Sequence, residues 1–383
     1  MALSKGRRRD YKGRAGAAAT LSGSGRAAGA FPGGPLPTML VGHAHPDLSA
    51  VMKAARFHGH GGVEVLRLED VPEPAPGRGQ CLVRVGAVAL NAFDPMILAG
   101  LPKVRTPLPM IPGGDVAGEI ERLGPGVVGW HPGQRVLVMP NQAAGMMGES
   151  LPGGACERIA VDADYLIAIP EGVETVAAAA LPVAYGAARR MAVTRGRIAG
   201  GEKVLVLGAS GGVGTAVVQL AKAAGAEVTA VTASPWKAAR LAALGADHVI
   251  VAAGTGFVAE AWRLHGRPRY RGGGGGIDVV VNYSGGPSWA AALKTLKRHG
   301  RVLTCGATAG YDPPTDLRYI WSFELTIIGS NGWTRDDLVA LLADVAAGRL
   351  TPVIHAVRPL GEIAEAMAEL IARRVFGKQV LIP

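Results

Sequence analysis

One glycine-rich stretch decides the fold of this 383-residue chain: Leu207-Gly208-Ala209-Ser210-Gly211-Gly212-Val213-Gly214. The apolar segment Lys203–Leu207 leads into it, and a helical pattern over Gly214–Ala224 follows it. A glycine pattern that joins a strand directly to a helix is typical of a dinucleotide-binding turn, because its glycines let the backbone approach a pyrophosphate at the helix N-terminus. We therefore expect residues 208–214 to bind a dinucleotide. A glycine-rich turn that binds nothing is the alternative.

Downstream of this turn, apolar strands alternate with helices, which predicts a parallel sheet covered on both faces. The predicted strands are Lys203–Leu207, Glu227–Thr232, His248–Val251, Ile277–Asn282, Arg301–Cys305 and Leu325–Gly329, with a second helix over Pro235–Leu244. This is the pattern of a doubly wound α/β (Rossmann) domain.

Upstream, from Met52 to about Ile169, short alternating segments separated by proline and glycine indicate a β domain. Its predicted strands are Val63–Leu68, Gln80–Leu90, Asp115–Leu123 and Arg135–Met139. The C-terminal helices Asp336–Ala347 and Glu362–Ala372 and the strand Gln379–Ile382 are expected to return to this domain. We thus predict a basic head at 1–51, the β domain at 52–180, the Rossmann domain at 181–328 and the return at 329–383.

Half of the formal net charge of +10 lies in residues 1–51, which contain seven Lys or Arg and two Asp. This head is rich in Gly, Ala, Arg and Ser and lacks apolar periodicity, so we expect it to be disordered. A dispensable tail, or a start codon assigned too early, is the preferred interpretation; a targeting peptide and a functional basic arm are the alternatives. Because the charge is concentrated there, we expect no nucleic-acid partner.

The three cysteines, Cys81, Cys156 and Cys305, are too far apart in sequence to indicate a disulfide framework or a closed zinc site. No apolar run approaches the roughly 18 residues of a membrane span. We expect reduced thiols, no membrane partner and a cytoplasmic protein.

The end of the second Rossmann strand bears on the choice of cofactor. An NAD-selective site places Asp or Glu there to accept hydrogen bonds from the ribose, whereas this chain has Thr232, Ser234 and Lys237. Hydroxyls and a cation suit a 2′-phosphate, so we predict NADPH. Ser234 could also cap the helix that begins at Pro235.

From residue 52 onward the chain contains seven short motifs that follow one another in the order typical of a known family. These motifs are Met52-Lys53-Ala54, Asn91-Ala92-Phe93-Asp94, Pro112–Glu119, Pro132–Val136, the glycine turn, Leu244–Asp247 and Gly377–Leu381. The chain resembles the medium-chain dehydrogenase/reductase superfamily, and within it the zinc-free quinone oxidoreductases and enoyl-CoA reductases. The resemblance implies a GroES-like β domain plus a Rossmann domain, with the active site in the cleft between them.

In the zinc-dependent branch of that family the positions of Asn91 and Gly114 hold a cysteine and a histidine. Neither residue suits Zn²⁺, so we predict no metal. The expected activity is a zinc-independent transfer of hydride from NADPH to a quinone or an α,β-unsaturated carbonyl compound, including an enoyl thioester. The alternatives are an NAD(P)-dependent carbonyl or alcohol oxidoreductase and an NADPH-binding protein with little turnover.

The resemblance also suggests individual site residues. Asn91 would position the nicotinamide ribose or donate to the substrate oxygen, unless it is a loop amide bonded only to backbone. Tyr185, which we predict to be catalytic together with Asn91, would lie near the cofactor phosphate, unless it is a core aromatic. Lys378 and the backbone N–H groups near Gly306 and Asn331 would contact the cofactor, although Lys378 could equally be a solvated charge. The family further implies a homodimer formed through edge strands near Leu325–Gly329.

Overall fold

The computed structural model describes residues 50–102 and 104–383. The predictions made for the basic head therefore lie outside the described residues. The described residues belong to one structural unit, which contains two large sheets of seven and six strands.

The elements that precede the glycine turn form the β domain. Its strands are β1 (Val51–Arg56), β2 (Arg67–Pro72), β3 (Gln80–Leu90), β4 (Asp115–Leu123), β5 (Arg135–Val138), β6 (Asn141–Gln142), β7 (Gly145–Met146), β8 (Arg158–Asp162) and β9 (Leu166–Ala168). The first sheet contains β3, β4, β5, β8 and β9, whereas β1 pairs with β2 and β6 pairs with β7 in two separate two-stranded sheets. The 11-residue β3 is the centre of the first sheet, because it pairs antiparallel with both β4 and β8. Helix α1 (Asp94–Leu98) follows β3 directly.

A helical segment connects the two sheets. It contains α2 (Thr175–Ala179) and α3 (Gly186–Arg189), with π-helical turns at Leu181–Tyr185 and Arg190–Arg195. Its alanine-rich inner face lies in the same apolar core as the Rossmann strands, so the linker is itself part of the packing between the two sheets.

The second sheet has six strands, all parallel: β10 (Lys203–Val206), β11 (Glu227–Thr232), β12 (His248–Val251), β13 (Ile277–Val281), β14 (Leu296–Thr304) and β15 (Thr326–Gly329). Their spatial order is β12-β11-β10-β13-β14-β15, which is the doubly wound Rossmann order with its switch between β10 and β13. The covering helices are α4 (Gly212–Ala223), α5 (Ala238–Ala243), α6 (Phe257–His265), α7 (Pro287–Leu293) and α8 (Leu317–Ser322). The predicted fold class is confirmed.

The C-terminal segment contains α9 (Arg335–Ala346), β16 (Ile354–Pro359), α10 (Ile363–Ile371) and β17 (Lys378–Ile382). β17 pairs antiparallel with β3 and parallel with β16, which extends the first sheet. Leu338, Leu341 and Leu342 of α9 pack in an apolar core that contains residues of both sheets.

Some elements begin at residues other than those predicted from the sequence. Val63–Val65 is a 3₁₀ turn rather than the start of a strand, because the Glu64 carboxylate accepts a hydrogen bond from Gly62 N at 2.8 Å and holds the chain in a local turn. Helix α4 begins two residues earlier than expected, and β14 begins at Leu296 rather than Arg301. Within residues 50–102 and 104–383, the structure has no helix long and apolar enough to span a bilayer.

Candidate active site

The glycine turn has the geometry of an anion site. Gly208 adopts φ +68°, and Tyr283 donates its hydroxyl hydrogen to the Gly208 carbonyl at 2.7 Å. Gly211 is the N-cap residue of α4, and among the described residues no side chain caps that helix. A Cβ added to Gly211 would meet only Gly208 O at 3.7 Å and Tyr283 Oη at 3.9 Å. The open space at the N-terminus of α4 could hold an anion such as a pyrophosphate.

Gly214 and Gly212 allow neighbouring segments to pack closely against the turn. A Cβ on Gly214 would lie 2.5 Å from Gly208 O and 2.6 Å from Ala209 Cα, so only glycine lets α4 approach the strand. A Cβ on Gly212 would lie 2.9 Å from Lys378 Cδ. Ser210 O accepts a hydrogen bond from Gly377 N at 2.9 Å, which fixes the start of β17 against the turn.

Lys378 passes over this turn into a buried polar cluster with Asn91 and Asp115. Its ammonium donates to Asn91 Oδ1 and, at 3.0 Å, to Asp115 Oδ2. Asn91 Nδ2 also donates to Asp115 Oδ2, at 2.9 Å, and Val183 N donates to Asp115 Oδ1 at 2.9 Å. All three side chains are buried. The cluster therefore joins β3, β4, β17 and the linker helix beside the glycine turn.

Asp94 supports the cluster from α1. Its Oδ2 accepts from Asn91 N at 2.6 Å, and its Oδ1 accepts from Gly113 N at 3.2 Å. Burial raises the pKa of Asp94 to about 7, although these hydrogen bonds and the charge of Lys378 act in the opposite direction. The sequence analysis names Asp94 only as part of a family motif, and its role beside Asn91 emerges from the structure.

The cluster does not fit the zinc ion that the wider fold family uses. Its donors are an amide, a carboxylate and an ammonium, and the ammonium already neutralises the carboxylate. Zinc requires thiolates, imidazoles or free carboxylates. Burial raises the pKa of Cys156 to about 12 and that of Cys305 to about 11, so both stay as thiols.

Tyr185, predicted as a catalytic residue, lies in the core. It is fully buried, and its hydroxyl accepts a hydrogen bond from Val353 N at 2.7 Å. Burial raises its pKa, so the phenol stays protonated. Its hydroxyl thus holds the segment before β16 against the linker helix.

The three residues predicted to contact the 2′-phosphate differ in their hydrogen bonds. Thr232 is buried, and its Oγ1 accepts from Ser234 N at 3.2 Å. Among the described residues the Ser234 side chain has no capping hydrogen bond with the helix that follows. The Lys237 ammonium is buried and donates to the carbonyls of Arg373 and Val375, at 2.8 and 2.7 Å. One N–H of three remains for a ligand.

Two arginines near Lys237 were missed in the sequence. Burial lowers the pKa of Lys237, and the charges of Arg240 and Arg373 lower it further, so three cations lie together at the end of β11. The Arg240 guanidinium stacks 4.2 Å above the Phe376 ring centroid. The sequence gives no signal for this cluster, because Arg373 comes from the segment before β17 and is far from Lys237 along the chain.

Gly306 and Asn331 line one cavity of about 600 Å³ at the carboxyl ends of β14 and β15. The cavity is also lined by Cys305, Ser330 and Arg190. In open α/β sheets, ligands bind beyond the carboxyl ends of the strands, and the glycine turn follows the same end of β10.

Two family models match the sequence. One, described as "Alcohol dehydrogenase GroES-like domain", covers residues 77–171, and the other, "Zinc-binding dehydrogenase", covers residues 212–347. The chain is 31% identical over 339 residues to "Acryloyl-coenzyme A reductase" of Sulfurisphaera tokodaii, with 83% of this chain and 96% of the relative covered. It is also 31% identical to "Quinone oxidoreductase" of Rattus norvegicus, with coverage of 87% and 98%.

A similar solved structure is the 2-octenoyl-CoA carboxylase reductase CinF in complex with NADP and 2-octenoyl-CoA. It aligns with a TM-score of 0.75 and 27% identity, covering 87% of each chain. The GroES-like model falls on strands of the first sheet, and the dehydrogenase model falls on the elements from α4 to α9. This chain belongs to the medium-chain dehydrogenase/reductase superfamily of NAD(P)-dependent oxidoreductases.

Proposed function

We propose that this protein is an NADPH-dependent, zinc-independent reductase that transfers hydride to a quinone or to an α,β-unsaturated carbonyl compound such as an enoyl thioester. The observation that carries the proposal is the Lys378–Asn91–Asp115 cluster, because an ammonium neutralises the buried carboxylate that a metal would otherwise need. Without a Lewis acid, oxidation of a simple alcohol is difficult, whereas reduction of an already polarised acceptor is feasible.

Each part of the site has a role in this proposal. NADPH would supply the hydride, and the N-terminus of α4 would bind its pyrophosphate. Lys378 uses two of its three N–H groups and Asn91 one of its two amide hydrogens within the cluster. The remaining hydrogens can donate to the cofactor or to the oxygen that gains negative charge in the acceptor. Tyr185 would act as a positioning residue for the segment before β16.

The preference for NADPH rests on charge at the end of β11. Lys237, Arg240 and Arg373 lie together there, and β11 ends at Thr232 without a carboxylate to bind a ribose hydroxyl. We assign the phosphate contact mainly to the two arginines, because the Lys237 ammonium is already bonded to two carbonyls.

The homodimer predicted from the family is also part of the proposal. β15 is the last strand of the Rossmann sheet, and Ile327 on it is 45% exposed. A second copy pairing along this edge would cover both its backbone groups and that side chain. Sedimentation analysis of the protein and of Ile327→Lys tests this, and a monomer at micromolar concentration contradicts it.

The test of function is a set of turnover assays with full-length protein dialysed against EDTA. We expect NADPH oxidation with 9,10-phenanthrenequinone or crotonyl-CoA that chelation leaves unchanged. Preference for a simple aldehyde would favour a carbonyl reductase, and NADPH binding without oxidation by any acceptor would favour a binding protein. Loss of turnover on chelation, restored by Zn²⁺, would contradict zinc independence.

A further inference from the structure

A second polar cluster lies at the opposite end of the Rossmann sheet from the glycine turn. Glu227 begins β11, His248 begins β12, and His265 ends α6. Since the strands are parallel, the first residues of β11 and β12 lie at the amino edge, away from the carboxyl ends where the dinucleotide site is placed. This Glu-His-His cluster plays no part in the proposed reaction.

The spacing of its donor atoms suits one ion. Glu227 Oε1 lies 3.1 Å from His248 Nε2 and 3.6 Å from His265 Nδ1, and one donor atom from each of the three side chains lies within 4.8 Å of the other two. Zinc bonds of about 2.0–2.1 Å in a tetrahedron place neighbouring ligand atoms roughly 3.4 Å apart. The two measured distances lie on either side of that value.

His265 gives independent evidence for a ligand. Its side chain is only 1% exposed, yet within the described part of the chain Nδ1 has no hydrogen-bond partner. Its other nitrogen, Nε2, lies 2.7 Å from Thr229 Oγ1. An Nε2–H donated to that hydroxyl leaves the Nδ1 lone pair directed at Glu227, which is the arrangement that orients metal-binding histidines.

The cluster is accessible to solvent on the side of Glu227 and His248. The side chains of Glu227 and His248 are about one-third exposed, so an ion can enter from solvent and keep a water as its fourth ligand.

We propose that Glu227, His248 and His265 form a divalent-metal site of zinc type, in which Glu227 Oε1, His248 Nε2 and His265 Nδ1 coordinate the ion. The ion would join β11, β12 and α6 and stabilise the Rossmann domain. The site is separate from the Lys378 cluster, so turnover does not require it.

The test is titration of the full chain, first stripped with EDTA, with Co²⁺ followed by visible absorption and then with competing Zn²⁺. We expect one equivalent of Co²⁺ to give the intense bands of a tetrahedral or five-coordinate complex and Zn²⁺ to displace it. At a Zn²⁺ concentration 100 times Kd, Tm should rise by roughly 5 °C.

Two variants test which residues bind the ion, and a third is the control. His248→Gln and His265→Gln should each weaken binding by at least about tenfold. His248 is the decisive position if the buried His265 variant fails to fold, because its side chain is partly exposed. His58→Gln is the matched control, since His58 Nε2 lies 2.8 Å from Glu69 Oε1 and this carboxylate also pairs with Arg56, and the variant should bind Co²⁺ normally. Absence of saturable Co²⁺ absorption, or unchanged binding by His248→Gln, would overturn the proposal.

Discussion

The ammonium of Lys378 lies 3.0 Å from the carboxylate of Asp115, and the two side chains are 2% and 0% exposed. Removing one member of a buried ion pair leaves the other charge without compensation, which costs about 3–5 kcal/mol. We therefore expect Lys378→Met to lower the free energy of unfolding by that amount and to abolish most NADPH oxidation. Urea unfolding and steady-state turnover measure the two effects.

Lys222→Met is the matched control for this substitution. Lys222 Nζ lies 2.8 Å from Asp247 Oδ2, but these side chains are 32% and 36% exposed, so the loss should be at most about 1 kcal/mol. Adding Asp115→Asn to Lys378→Met should restore part of the stability, because it removes the unpaired charge. Equal losses for Lys378→Met and Lys222→Met would contradict the assignment.

Two glycine substitutions separate cofactor binding from packing. Gly211 has φ −81° and open space where a Cβ would be, so Gly211→Ala should leave stability unchanged yet weaken NADPH binding by about tenfold or more, because the methyl group occupies the proposed pyrophosphate site. Gly214→Ala should instead lower stability by about 1–3 kcal/mol, since its Cβ meets backbone atoms. Fluorescence titration with NADPH and urea unfolding distinguish them. Normal NADPH affinity in Gly211→Ala would place the dinucleotide elsewhere.

Tyr185→Phe tests whether the hydroxyl is catalytic or structural. The substitution leaves the Val353 N–H unpaired beside a buried ring, so we expect a loss of about 1–3 kcal/mol in stability with kcat changed less than about twofold. Tyr165→Phe is the control, because the Tyr165 hydroxyl accepts from Ala143 N at an exposed site where water can replace it. A large fall in kcat with unchanged stability would restore the catalytic assignment.

Specificity for NADPH should depend on arginine rather than lysine. Arg240→Ala and Arg373→Ala are expected to raise the KM for NADPH about tenfold while leaving that for NADH unchanged, because only NADPH carries the 2′-phosphate that a guanidinium binds. Arg374→Ala, at the neighbouring exposed position, serves as the control. Equal effects on the two cofactors would remove the phosphate assignment.

Local signals in the sequence predicted the fold better than they predicted the site. The glycine turn and the strands beside it follow from short-range patterns, and the structure confirms the architecture that these indicate. Asn91 and Lys378 were each singled out, but they are 287 residues apart, and no periodicity indicates that they bond to each other. Lys237 is a similar case, since its carbonyl partners lie 136 and 138 residues away. Buried polar contacts between distant segments depend on tertiary packing, which single-sequence patterns do not encode.

The raised pKa of Asp94 predicts a specific dependence of stability on pH. Burial raises the pKa of this carboxyl from its ordinary value of 3.8 to about 7, so between those values the folded protein holds a proton that the unfolded chain has released. Folding stability from Asp94 is therefore complete below about pH 4 and declines as the pH rises to 7. Asp94→Asn removes this titration. We expect the stability of the variant relative to the unmodified protein to increase from pH 4 to 7 and to level off above pH 8.

Urea unfolding of both proteins at several pH values measures this difference, because groups that do not interact with Asp94 contribute equally to the stability of both proteins. Asp316→Asn is the control. Arg318 lowers the pKa of that exposed carboxyl, so the contribution of Asp316 to folding stability is lost as the pH falls, whereas that of Asp94 is lost as the pH rises. A difference between Asp94→Asn and the unmodified protein that stays constant from pH 4 to 8 would mean that Asp94 is ionised throughout. In that case its two backbone hydrogen bonds and Lys378 would outweigh burial.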